Sequence, residues 1–415
     1  MASVALDPEA RHRRGTPGFR RITVALFSGG LATFTALYGV QALLPALSSS
    51  FALSPAAASL AVSVATGAMA IGMIPLTAVS ETVGRTRMMT TSLFTSTVLS
   101  LLVAVSPNFA ILLVLRALQG FALAGLQAVA MSYLAEELHR GSLGSAMGLY
   151  VAGNGIGGMA GRLLSGLVDD VAGWRWALAV VGLVALACTI AFRLTIVPSR
   201  GFAPRPPKVR ELAGAVGRAF TDTGLLRLFT AGFLLMGCFV TIYNYLGFRL
   251  LGPGFHLSQT VVGLIFVVYL AGSISSACAG RLVDRFGRPR MLWIMAAITL
   301  AGLLLMAAGN VVAVIAGLVV TTGGFFAAHS VASGWVSARS ATLGVQGPAV
   351  YLFCYYLGSS VGGTLGGVVF SAAGWSGVTG YTGAFILVVL VIAVALRKLR
   401  PAAPLTGTAI GAPVR

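Results

Sequence analysis

Apolar runs of membrane-crossing length, repeated with only short breaks between them, restrict what this chain can fold into. A helix needs about 20 apolar residues to cross a bilayer. Within hydrocarbon it must satisfy its own backbone N–H and C=O groups. Twelve such segments can be marked, near 22–47, 57–79, 88–106, 109–135, 144–167, 175–197, 226–251, 259–279, 291–309, 312–335, 347–371 and 380–397. Gly, Pro and Ser punctuate the connections, as turns require. Charged residues make up only 9% of the chain against 57% hydrophobic, where a soluble domain carries about 25% charged. The reading is an all-α membrane protein with the lipid bilayer as its solvent.

The charges that remain are strongly one-sided. The net charge of +18 would suit nucleic acid in a soluble protein, but the basic residues are scattered over short loops and form no single face. Their placement instead sets orientation, because basic loops stay on the cytoplasmic side. With the N-terminus inside, 24 of the 28 Lys and Arg fall on the cytoplasmic side, leaving only Arg116, Arg162, Arg175 and Arg249. Both termini are therefore expected in the cytoplasm, and the first residues read as a tail leading into the first crossing. Lysine occurs only at 208 and 398, a bias expected of a GC-rich bacterial genome, so the expected location is a bacterial plasma (inner) membrane. Cys188, Cys238, Cys278 and Cys354 lie in apolar runs without metal-ligand spacing and read as small buried side chains. No nucleophile–base pair, metal-spaced His cluster or sizeable soluble domain points to an enzyme; no metal or cofactor is expected.

One long connection, 198–225, rich in Pro and basic residues, divides six segments from six. The organisation is then a tail 1–21, a bundle 22–197, a linker 198–225, a second bundle 226–398 and a tail 399–415. The bundles repeat each other. Gly153-Asn-Gly-Ile-Gly-Gly158 in the fifth segment matches Gly358-Ser-Ser-Val-Gly-Gly363 in the eleventh. Tyr150 matches Tyr355, and Phe34 and Tyr38 match Phe239 and Tyr243, all at an offset of 205. Ser80-Glu-Thr-Val-Gly-Arg85 and Val283-Asp-Arg-Phe-Gly-Arg288 each set an acid three residues before Gly-Arg, between two apolar segments.

This last pair resembles the signature loop of the Major Facilitator Superfamily (MFS), Gly-x-Leu-x-Asp-Arg-x-Gly-Arg-Arg. The second copy fits at Gly280, Leu282, Asp284, Arg285, Gly287 and Arg288. The first is degraded, keeping Glu81, Gly84 and Arg85, with Thr77 in place of the first Gly. The resemblance covers nearly the whole chain. It implies the MFS fold: 12 transmembrane helices in two pseudo-symmetric six-helix bundles, usually monomeric, with a small-molecule substrate site between them. Carried over, Asp284, Arg285 and Arg288 form a cytoplasmic latch that holds the halves together while the site faces outward, and Glu81 with Arg85 a weaker one.

Further motifs refine the resemblance. Arg116-Ala-Leu-Gln-Gly120 resembles the family's Arg-x-x-Gln-Gly, which implies a part for Arg116, Gln119 and Gly120 in proton coupling; the alternative is a structural arginine tied to a neighbouring helix. Gly153, Asn154, Gly157 and Gly158 resemble the Gly-Pro-x-x-Gly-Gly motif of drug:proton antiporters, with Asn154 for Pro; Gly358, Gly362 and Gly363 are the repeat's counterpart. Small residues of this kind also serve ordinary close packing of helices. Gly15-Thr-Pro-Gly-Phe19, Met131-Ser-Tyr-Leu-Ala-Glu-Glu137 and Gly324-Phe-Phe-Ala-Ala-His-Ser-Val-Ala-Ser333 resemble the YnfM-type branch of bacterial inner-membrane MFS proteins.

Ionisable groups inside crossings are the default functional candidates, and here they are few. No Asp or Glu falls in the middle of a segment. His329, deep in the tenth, can titrate near neutral pH and is either a proton or substrate contact or a neutral, hydrogen-bonded His. Arg162 either attracts an anionic substrate group or pairs with Asp169 and Asp170, the pairing being slightly favoured. Phe34, Tyr38, Phe239, Tyr243, Asn244 and Tyr355 are expected to line the cavity. The expected function is efflux of a small organic molecule driven by the proton gradient; uptake or uniport in the same fold, a non-transporting sensor and a membrane-embedded enzyme are the alternatives.

Overall fold

The computed structural model describes residues 11–200, 202, 209–343 and 347–398. The tail 399–415, the first ten residues and most of the Pro-rich part of the linker lie outside the described residues. The chain folds into helices α1 (Pro17–Ser50), α2 (Pro55–Val83), α3 (Arg85–Ala104), α4 (Phe109–Glu137), α5 (Arg140–Ala172) and α6 (Trp174–Thr195). A short linker helix, α7 (Val209–Thr221), leads to α8 (Thr223–Leu251), α9 (Gln259–Phe286), α10 (Arg288–Met306) and α11 (Val311–Leu343). The last stretch, Gly347–Arg397, is broken at Gly374 (φ 58°, ψ −149°) into α12 (347–373) and α13 (375–397). Apart from α7, the described residues thus form twelve long helices, one for each expected segment. The helices outrun the apolar runs at their ends. Residues 17–21, read as tail, already belong to α1, and the expected linker 198–225 holds α7 and the start of α8.

Helix starts are set by side chains that satisfy otherwise unpaired N–H groups. Ser54 accepts from Ala57 N, Asn108 from Ile111 N, Asp222 from Leu225 N and Ser258 from Val261 N. The glycine shared by the two signature loops has a specific task. Gly84 (φ 100°, ψ 145°) and Gly287 (φ 79°, ψ 150°) end α2 and α9 and reverse the chain into α3 and α10. Side-chain-bearing residues rarely adopt that conformation.

Each half is welded by glycine. Cβ atoms at Gly153, Gly157 and Gly161 of α5 would run into the backbone of Phe27, Leu31 and Thr35 of α1. In the second half, Gly358, Gly362 and Gly366 of α12 stand equally close to Phe233, Gly237 and Thr241 of α8. The same hydrogen bond recurs at each weld: Thr35 Oγ1 donates to Gly157 O at 3.0 Å, and Thr241 Oγ1 to Gly362 O at 2.9 Å. The sequence repeat is therefore a repeat of backbone-to-backbone packing, the close contact that small residues allow in lipid.

The halves touch mainly through α2 against α12 and α5 against α9. These contacts lie from mid-depth to the end opposite the arginine-rich loops. Gly67 meets Ser360, Gly166 meets Gly263, and Gly367 meets Ala56. Asp170 accepts from Thr260 N (3.1 Å) and Thr260 Oγ1 (2.6 Å), and Gln259 Nε2 donates to Ala42 O. At the arginine-rich end the described bonds stay within one half. There Arg85 pairs with Glu81 and with Glu136 of α4, while Asp222 is bridged to Arg339 of α11 at 2.6 Å. The cysteines depart from expectation: only Cys238 is buried, Cys188 and Cys354 are partly so, and Cys278 is exposed. A membrane protein can present such a side chain to lipid without cost to its core.

Candidate functional site

The seam between the halves is polar between its middle and its closed end, and its geometry starts from a break in α1. Pro45 has no N–H and crowds the carbonyl four residues before it. The helix accordingly tightens to a 3₁₀ turn over Gly39–Leu43 before resuming. This re-aims Gln41 into the seam, where it is 2% exposed. Its amide bridges the halves: Oε1 accepts from Arg162 Nε of α5 at 2.6 Å, and Nε2 donates to Asn244 Oδ1 of α8 at 2.6 Å.

Arg162 is 1% exposed. Its Nη1 donates to Gly158 O one turn earlier at 2.6 Å. The guanidinium carbon lies 4.3 Å from the Tyr38 ring centroid and 4.6 Å from that of Tyr269. Phe266 and Tyr243 stand at 5.3 and 6.0 Å. The slightly favoured pairing of Arg162 with Asp169 and Asp170 is not what forms. Helical side chains lean toward their own N-terminus, so Arg162 reaches back to Gly158 while the acids lie about two turns the other way. Asp170 is spent instead on Thr260.

Unpartnered polar groups gather around this arginine. Asn244 Nδ2, Tyr38 Oη and Ser63 Oγ are buried without a hydrogen bond. A Cβ at Gly363 would lie 3.0 Å from Asn244 Nδ2 and 3.4 Å from Ser63 Oγ, so both converge where that side chain is missing. Tyr269 Oη faces the guanidinium and Tyr38 Oη faces Ser359, each short of a hydrogen bond.

The other expected cavity residues form one aromatic wall. Phe34 packs beside Tyr38 at 5.9 Å. Phe239 stacks on Phe325 at 3.9 Å and meets Tyr243 at 4.7 Å. Tyr243 shares a hydrogen bond with Thr322 at 2.7 Å. Tyr355 lies 4.5 Å from His329, whose Nδ1 is 2.9 Å from Tyr351 Oη. His329 is thus held by hydroxyl and ring faces.

Arg116 sits elsewhere, inside the first half. Its Nε donates to Ala61 O, Nη1 to Ala36 O and Gln119 Oε1, and Nη2 to Leu37 O, all within 2.9 Å. Two of those carbonyls belong to the end of α1 just before its break. Gly120 beside it lets α4 close onto Ala65 of α2. The geometry is that of an arginine tied to neighbouring helices. Asn154 turns its Oδ1 toward Gly30 of α1, in a group with Tyr150 and Gln127 whose polar atoms are also unpartnered. At the second signature loop, Asp284, Arg285, Gly287 and Arg288 are exposed, and among the described residues nothing lies within 4 Å of a Cβ at Gly280 or Gly287. The first loop, expected to be the weaker, has its Arg85 buried between Glu81 and Glu136.

Sequence reasoning missed Gln41, Tyr269 and Phe266. A lone glutamine inside the first apolar segment, four residues before a proline, was the available signal. The three branch-resembling stretches hold structural posts: Thr16 caps α1, Glu136 pairs Arg85, and Phe325 with His329 builds the aromatic wall.

Twelve crossings in two welded halves around a buried polar seam define a membrane carrier. The family model of the Major Facilitator Superfamily matches residues 26–252 and 246–413, and the chain belongs to that superfamily of transporters. It is 44% identical to the inner membrane transport protein YnfM of Escherichia coli over 93% of this chain and 92% of that one. It is 43% identical to the uncharacterized MFS-type transporter YybF of Bacillus subtilis, over 91% and 94%. Among solved structures, a bacterial homolog of the human lysosomal transporter Spinster, inward-facing and occupied, superposes with TM-score 0.72 at 15% identity, covering 92% of this chain and 96% of that one. The nucleoside transporter NupG gives 0.72 at 14%, covering 91% and 99%. At that identity the likeness is one of fold alone.

Proposed function

We propose that this protein exports a small organic molecule from a bacterial cell in exchange for protons, by alternating access, as a monomer in the inner membrane. The observation that carries the reading is the one-sided closure: the halves are bonded from mid-depth to one end, over a buried polar site at the seam. With the arginine-rich end in the cytoplasm, as positive-inside placement requires, this is an inward-facing arrangement. Two relatives carry transporter names, one of them at the inner membrane. The glycine weld between α1 and α5, similar to the antiporter motif, favours export. The exposed Gly280, Asp284, Arg285 and Arg288 fit a latch that engages only when the cytoplasmic end closes. His329, and Arg116 with Gln119, are the candidates for coupling to protons; the proton gradient is the energy source and no cofactor takes part.

One observation favours a second reading, uptake or uniport: none of the ten acidic residues lies in the interior of a crossing. Inverted vesicles loaded with acid separate the two. Proton efflux on adding a substrate establishes exchange, whereas substrate movement with no proton signal rejects coupling and leaves uniport.

A further inference from the structure

The seam holds a cation whose partners are all neutral. We infer that the transported molecule is an organic anion, a small oxyanion on an apolar or aromatic body, held by Arg162. The inference rests on the transporter reading and names its substrate class.

The first argument is charge. A guanidinium keeps its proton in a protein, and a buried charge needs a partner. Arg162 has an amide oxygen, a backbone carbonyl and ring faces, and no carboxylate forms an ion pair with it among the described residues. Asp170, among the acids nearest in sequence, is engaged with Thr260 at the closed end. Arg116 shows how this chain satisfies a buried arginine from within: backbone carbonyls from two neighbouring helices and one amide take up its fork. Arg162 is not saturated in that way.

The second argument is the sign of the unpartnered groups. Asn244 Nδ2 is a donor, and the hydroxyls of Tyr38, Ser63 and Tyr269 can each donate. Together with the guanidinium they make a pocket rich in donors. A ligand that satisfies it is rich in acceptors, as carboxylate and phosphoryl oxygens are, and arginine binds such groups through paired N–H bonds. An ammonium ligand would add donors to donors and a second positive charge. The third argument is the surrounding surface: the rings of Tyr38 and Tyr269 flank the charged group and offer flat faces for an apolar body.

The test uses the purified full-length protein and its melting midpoint. Benzoate, phenylacetate and phenylphosphonate are compared at millimolar concentration with benzylamine and benzyl alcohol. At least one oxyanion is expected to raise the midpoint, the amine and alcohol not. Arg162→Gln is expected to abolish the shift and Arg162→Lys to keep part of it. If Arg162→Gln does not fold, Asn244→Ala takes its place and is expected to weaken the oxyanion's apparent affinity by about tenfold, the loss of one hydrogen bond. Equal stabilisation by the amine or alcohol overturns the inference. So does an oxyanion shift that survives Arg162→Gln, so does an unchanged oxyanion affinity in Asn244→Ala, and so does silence of all three oxyanions. Counterflow in proteoliposomes then separates the two claims. An oxyanion that binds and is not moved keeps the site and rejects transport, while movement of the amine or alcohol keeps transport and rejects the anion.

Discussion

Arg116 and Arg162 are both almost fully buried arginines, and what each touches separates their roles. Arg116 satisfies carbonyls exposed where α1 tightens into its 3₁₀ turn, so its removal leaves several acceptors unpaired in a dry interior. Each such loss costs about 1–3 kcal/mol, and Arg116→Gln is expected to destabilise the protein by roughly 2–4 kcal/mol. Arg116→Lys should recover little, because one ammonium cannot reproduce a planar fork spread over two helices. Thermal melting in detergent checks both. Asp222 offers a pH-dependent counterpart at the arginine-rich end. The guanidinium of Arg339 holds its carboxyl below the usual carboxylate range, so the pair stabilises the fold above the unfolded carboxylate value of about 3.9. That contribution is lost as pH falls through the depressed folded value. Asp222→Asn should therefore lower stability at neutral pH by about 1 kcal/mol, the upper end for a pair still partly reached by solvent. The difference from wild type should close in strong acid, and melting curves from neutral to acid pH measure it.

Among the helices, the decisive distinction is between glycines that are filled against and glycines that are not. A Cβ at Gly362 would lie 2.7 Å from Gly237 Cα, so Gly362→Val forces α8 and α12 apart and is expected to abolish correct folding, read as loss of monodisperse protein. Gly280→Val meets nothing among the described residues in this arrangement. It should fold normally yet stop transport if the proposed latch uses that space when the cytoplasmic end closes; normal transport by Gly280→Val would remove the latch. How much of this was legible follows from the kind of constraint. Gly84 and Gly287 could be read because their backbone conformation excludes other residues, and the paired glycine motifs because both halves repeat them. Most of the crossings follow from length and hydropathy; the glycine-rich α5 does not, and is read from its repeat in α12. The partners of Arg162 were not legible. Side-chain lean along a helix decided against Asp169 and Asp170, and the neighbours that did meet it come from α1, α8 and α9, far away in sequence. Glu136 was visible only as part of a motif, since its partner Arg85 lies across a turn of structure and not of chain.

At the scale of the whole molecule, two rigid halves share one seam, and the bonds across it lie toward one end. Asp170 and Thr260 meet across that closure, so the double variant Asp170→Cys, Thr260→Cys is expected to form a disulfide under oxidation. Oxidation should then halt transport by holding that end shut, and reduction should restore it. Persistent transport in the oxidised protein would show that the closure described here does not open during the cycle. The lone guanidinium at the seam also has an electrical consequence. A fixed charge inside the bilayer changes its position in the transmembrane field whenever the access path switches sides, even though the atom hardly moves. Half the field acting on one elementary charge is worth about 1 kcal/mol per 100 mV. An anion bound to Arg162 cancels that charge. The loaded protein then turns over with little regard for voltage, and the empty protein becomes the voltage-sensitive species, its return speeded or slowed by the membrane potential.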